Sequence, residues 1–140
     1  MKIILSTLSI FITYVLFAQT NPKISFGYET FDFGDIKILE DYKNDTINLP
    51  IKFISKGDTL IAPFYFKNLG TSDLVISDVK PTCGCTITDF TKIVGVGQGS
   101  IINLKFVPVS IGPFYKSATV LTNDPDVPSI ILRFQGNVIE

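Results

Sequence analysis

The 140-residue chain has no histidine and no tryptophan, only one methionine, and only two cysteines. The absence of histidine removes the commonest general base and the commonest metal ligand, so acid–base or hydrolytic catalysis lacks its usual starting material. Neither sign of charge dominates, with 12 basic and 13 acidic residues, and no basic stripe offers a footprint for nucleic acid. No stretch pairs a sustained helical period with caps. These absences leave little from which to assemble an enzyme, and a non-catalytic module is the expectation.

What is present begins with export grammar. Met1-Lys2 gives a positive start, residues 3–17 are almost continuously apolar, and Ala18-Gln19 offers a small residue where a signal peptidase cuts. A membrane-spanning helix is the competing reading. About 15 apolar residues fall short of the roughly 20 that span a bilayer, and no basic stop-transfer cluster follows. No cysteine follows the run to carry a lipid anchor. The expectation is a signal peptide over 1–18 and a periplasmic or secreted product over 19–140. That product has no membrane span of its own and is long enough for one domain.

From residue 23 onward, apolar residues alternate or form short β-branched runs broken by Gly, Pro, Asn and Asp, which is the pattern of strands and turns. It predicts strands over 23–28, 46–54, 59–68, 74–80, 86–89, 100–107, 114–122 and 129–137. Breakers at Pro108 and across Asn123-Asp124-Pro125-Asp126 and Pro128 close strands. Seven to eight short strands in one exported domain predict an all-β, immunoglobulin-like antiparallel sandwich, with a closed barrel as the alternative. Phe64, Phe66, Phe106, Phe114, Tyr115 and Phe134 are expected to fill its core. Residues 35–55 fit the pattern least and are expected to form an extra hairpin or a flap.

Cys83-Gly84-Cys85 holds both thiols. On an extended backbone, side chains two apart share a face, which sets Cys83 beside Cys85. Three readings stay open. A disulfide between them would be strained and easily reduced. A soft-metal site would hold Cu(I) or half a zinc shell, and with no histidine it would need further ligands from elsewhere. The third reading is two small residues packed without chemistry. The spacing is not that of a CxxC redox motif. Three other segments read as ordinary: Asn123-Asp124-Pro125-Asp126 as a turn rather than a calcium loop, Gly95-Val96-Gly97-Gln98-Gly99 as a turn rather than a phosphate cradle, and Asn44-Asp45-Thr46 as a chance glycosylation acceptor.

Taken in order, Phe31-Asp32-Phe33-Gly34-Asp35-Ile36, Phe64-Tyr65-Phe66-Lys67-Asn68-Leu69-Gly70, Leu74-Val75-Ile76 with Val79, and Cys83-Gly84-Cys85-Thr86 resemble the bacterial domain of unknown function 1573 family. Gly112-Pro113-Phe114-Tyr115-Lys116, Thr122-Asn123-Asp124 and Phe134-Gln135-Gly136-Asn137-Val138 extend the resemblance over nearly all of residues 19–140. It implies an exported immunoglobulin-like sandwich, related in shape to major-sperm-protein and Hydin-type domains, common in Bacteroidetes and without an established activity. Against that pattern, residues 37–56 read as an insertion, and Gly97-Gln98-Gly99 stands where the family has a Pro-Gly turn. The favoured function is a protein-interaction or envelope-structural module that takes an unidentified protein partner, with strand addition at a sheet edge as one route. The alternative is thiol-redox or copper handling through Cys83 and Cys85.

Overall fold

The computed structural model describes residues 19–40, 52–82, 85–87 and 90–140. The expected leader with Ala18, the Asn44-Asp45-Thr46 triplet, most of the strand expected over 46–54, and Cys83 lie outside these residues; Gln19 is described and exposed. Among the described residues no helix is long and apolar enough to cross a membrane.

The described chain folds into ten strands: β1 Ile24–Phe26, β2 Thr30–Leu39, β3 Lys52–Ser55, β4 Leu60–Asn68, β5 Leu74–Pro81, β6 Cys85–Ile87, β7 Ile93–Val94, β8 Gly99–Phe106, β9 Gly112–Thr122 and β10 Ser129–Ile139. They form a four-stranded sheet ordered β1-β4-β8-β6 and a six-stranded sheet ordered β3-β2-β10-β9-β5-β7. The sandwich expected from the sequence is present, with more strands than foreseen. Its larger sheet is mixed rather than wholly antiparallel, because β2 runs parallel to both β10 and β3.

The core follows from period-two alternation. In β4, Leu60, Ala62, Phe64, Phe66 and Asn68 point inward, while Ile61, Tyr65 and Lys67 face solvent. In β10, Leu132, Phe134 and Val138 are buried. Fully burying one such side chain contributes about 2 kcal/mol. Phe106 of the small sheet meets Phe114 and Phe134 of the large one at ring-centroid distances of 4.9 and 6.1 Å, and Phe33 packs 6.0 Å from Phe134. Gly136 makes room for this cluster, since a Cβ there would lie 2.6 Å from Cζ of Phe114. Tyr115 corrects an expectation. It is 74% exposed rather than in the core, because it follows inward-facing Phe114 and adjacent strand residues face opposite ways.

β2 was missed from sequence because its phase slips. Phe31 and Phe33 face inward, and then Ile36 and Ile38 do so, a spacing of three at the join. A bulge absorbs the extra residue. Asp32 pairs with Gln135 but Asp35 pairs with Asn137, and Gly34 adopts φ +67°, a conformation natural to glycine and costly for other residues. Residues 37–39 therefore complete a strand inside the larger sheet. Lys52–Ser55 runs parallel beside it, so the described part of 37–56 is not a hairpin.

Candidate functional site

Cys85 opens β6, at the edge of the small sheet, where it pairs with Phe106 of β8. Cys85 carries a free, half-buried thiol. Burial raises its pKa above the usual thiol value, against the opposing pull of the Lys116 ammonium and a hydrogen bond from Thr82. Lys116 is held nearby, its Nζ 5.1 Å above the Phe106 ring. Reactive thiols have depressed values, and the net direction here is the opposite. In a Cys83→Ser variant, Cys85 should react with iodoacetamide several-fold more slowly than glutathione at neutral pH, and the gap should narrow as the solution is made alkaline. Alkylation at or above the glutathione rate would contradict this environment. No group of three Cys, Asp or Glu gathers among the described residues, so a Cu(I) or zinc site would have to draw on Cys83 and on groups beyond them.

Three of the residues that carried the family resemblance, Asn68, Gly70 and Asp124, prove to be structural. Asn68 is fully buried at the end of β4. Its Nδ2 donates to the carbonyls of Ser72 at 2.8 Å and Val94 at 3.0 Å, and its Oδ1 accepts from the N–H groups of Gly70 at 3.0 Å and Lys23 at 3.3 Å. One amide thus ties together the β4–β5 loop, β7 and the residue that leads into β1. Gly70 sits where the backbone of residues 21–23 crosses, with room for no side chain. Asp124 looks like a turn residue in the sequence, and it does sit in a turn, but its carboxylate is buried. Oδ2 accepts from Ile24 N–H at 2.8 Å, and Oδ1 accepts from Asp126 at 2.9 Å and Val127 at 3.3 Å. That bond fastens β1 of the small sheet to the β9–β10 loop of the large one. Nothing in the local sequence signals it, since the partner lies 100 residues away.

What the fold presents outward differs between the two faces. The strands of the small sheet contain two lysines, Lys67 and Lys105, and no acidic residue. On that face Tyr65 and Leu69 are more than half exposed. A groove of about 520 Å³ runs beside β1, lined by Phe26, Tyr65, Phe66, Lys67, Leu69 and Ile101 among others. Sequence reasoning missed it, because alternation marks Tyr65 and Leu69 as outward without showing that they gather. The edges where a partner strand would pair are partly closed. Ile24 donates its N–H to Asp124, Ser55 donates its N–H to Asp58 at 2.8 Å, and Pro63, which has no N–H, accepts at its carbonyl from the Tyr28 hydroxyl.

Among solved structures, the chain resembles a protein of unknown function from Porphyromonas gingivalis W83, with a TM-score of 0.63 at 14% identity over 88% of this chain. It spans 50% of that protein's length. The ASH/PapD-like domain 7 of human CEP192 matches with a TM-score of 0.56 at 12% identity, covering 92% of this chain and 96% of that domain. The Vibrio cholerae VesB protease matches with a TM-score of 0.57 at 8% identity, covering 81% of this chain and 31% of the protease. Identities this low show shape and carry no activity across. No curated protein matches. The model of one family, described as Protein of unknown function (DUF1573), matches residues 41–138. A match over most of the chain, on a two-sheet sandwich whose signature residues hold the fold together, settles the membership: the chain belongs to the family Protein of unknown function (DUF1573).

Proposed function

We propose that this domain is a non-catalytic binding module acting outside the cytoplasm, and that the outer face of its small sheet takes an extended polypeptide segment carrying apolar and acidic side chains. The observation that carries this reading is the groove beside β1, apolar in lining and flanked by lysine on strands that have no carboxylate. Exposed apolar surface gathered into one concavity marks a contact site, and the charge of one sign selects an acidic partner. Side-chain packing in the groove supplies the contact. Full strand addition is disfavoured at β1, where Asp124 already occupies the Ile24 N–H. The raised pKa of Cys85 supports a binding role over thiol chemistry.

Selection of displayed peptides against the purified protein tests this. Enriched sequences should pair apolar with acidic residues and bind more weakly as salt is added. Leu69→Glu should lower their affinity about tenfold or more, roughly 1.4 kcal/mol, without changing the melting temperature. Absence of enrichment, or equal binding by Leu69→Glu, refutes the reading. So does the finding, by light scattering, that the face is buried against a second copy.

A further inference from the structure

The outer face of the six-stranded sheet carries a different chemistry. Cross-strand register sets Tyr115 of β9, Gln135 of β10 and Asp32 of β2 in one row, and Ser117, Arg133 and Thr30 in the next. Neighbouring strands lie about 4.8 Å apart, so each row brings its three side chains within reach of one small ligand. The first row is held in place. Gln135 Nε2 donates to Asp32 Oδ2 at 2.9 Å, and the Gly34 N–H, presented by the β2 bulge, donates to Asp32 Oδ1 at 2.8 Å. These two bonds hold the Asp32 carboxyl below its usual pKa, Gln135 first. The amide is fixed through its nitrogen, which leaves its oxygen to accept from a ligand. Beside them stands the exposed ring of Tyr115, over a shallow hollow of about 190 Å³ that Lys116, Ser117, Arg133, Phe134 and Gln135 also line; Asp32 lies outside that lining and meets it through its bond to Gln135.

We infer that this row is a binding site for a neutral saccharide, one sugar ring lying against Tyr115 with its hydroxyls on Asp32 and Gln135. A sugar ring presents an apolar C–H face and a rim of hydroxyls that both donate and accept. That combination calls for a flat aromatic surface next to an ordered carboxylate and amide. Other ligand classes fit less well. A small anion drawn to Arg133 would gain nothing from the Tyr115 ring and would face the Asp32 carboxylate that Gln135 holds in place. An apolar ligand would leave Asp32 and Gln135 desolvated and unpaired. An added peptide strand needs an open sheet edge, and β9 and β10, which carry Tyr115 and Gln135, are interior strands with neighbours on both sides. Arg133 in the adjacent row extends the platform with donors for a second ring.

Titration of the purified protein with chitohexaose, cellohexaose and maltohexaose, followed by amide chemical shifts, tests the assignment. At least one should produce saturable shifts centred on residues 115–117 and 133–135. Tyr115→Ala should weaken that binding about tenfold, Tyr115→Phe should preserve most of it, and Asp32→Ala should weaken it several-fold; melting temperatures should stay close to that of the unaltered protein. Leu69→Glu, on the opposite sheet, should bind sugar unchanged, so failure of the peptide reading and failure of this one are separable. No saturable shift with any of the three sugars overturns the inference. So does binding undiminished by Tyr115→Ala, or a clear preference for oligogalacturonate, which would mark Arg133-led recognition of a carboxylate instead.

Discussion

Asn68→Ala is expected to destabilise the protein by about 4 kcal/mol and to lower its melting temperature by roughly 10–15 °C. The side chain is fully buried and makes four hydrogen bonds. Its removal strands two carbonyls and two N–H groups, and each buried group left without a partner costs about 1–3 kcal/mol. Asn68→Asp separates the donor half of this work from the acceptor half. A carboxylate can still accept from Gly70 and Lys23, but it faces the Ser72 and Val94 carbonyls with no proton to give. Its pKa in the folded state would be raised, so the destabilisation should be full at neutral pH and should ease as the pH falls and the carboxyl protonates. Denaturant melts at neutral and acidic pH read both effects. A loss under about 1 kcal/mol for Asn68→Ala would mean that water replaces the amide without difficulty, and that Asn68 is not the hub described here.

Gly70→Ala should match that loss for a different reason. A Cβ at position 70 would lie 2.3 Å from the carbonyl oxygen of Asn21, 2.5 Å from the nitrogen of Lys23 and 2.7 Å from the carbonyl carbon of Pro22. All three are backbone atoms, so no rotamer change relieves the overlap. The crossing segments must separate. That breaks the bonds from Leu69 N–H to the Lys23 carbonyl and from Thr71 N–H to the Asn21 carbonyl, both 2.8 Å, and pulls Lys23 away from Asn68. A loss of about 3 kcal/mol or more is expected. Gly57→Ala is the comparison. It has φ +88° with nothing within 4 Å, so it should cost only about 1 kcal/mol of backbone strain. Because Asn68 and Gly70 act on the same crossing, the double substitution should cost less than the sum of the two. Equal melting temperatures for Gly70→Ala and Gly57→Ala would show that the crossing relaxes freely.

The fold class was legible because alternation and breakers are local signals. β4, β5, β8, β9 and β10 fall within one or two residues of the expected strands. β2 was not, since a glycine bulge in mid-strand destroys the alternation that marks a strand, and β7, of two residues, is too short to carry a period. The family signature was legible as a pattern, but its meaning was not. Asn68 and Gly70 read as strand-end punctuation, and their work depends on residues 21–23, brought beside them only by the fold. Asp124 and the Tyr115–Gln135–Asp32 row share this property, with partners 100 and 103 residues distant. The thiol pair was the most conspicuous feature of the sequence. Of its two members Cys85 is the one described, half-buried at the start of β6 with its pKa raised by burial.

The parallel placement of β2 has a consequence for how the chain is made. Residues 30–39 leave the ribosome early, yet their neighbour β10 follows roughly a hundred residues later. At ~5–20 residues per second, the roughly hundred-residue gap leaves β2 without that neighbour for about 5–20 s. Throughout that interval β2 has only β3 beside it, and the edge that β10 will cover stays open, of the kind that pairs with other chains. The nascent protein must therefore be shielded, or kept extended, until residues 129–139 arrive. Any truncation that removes β10 leaves that hazard in place permanently.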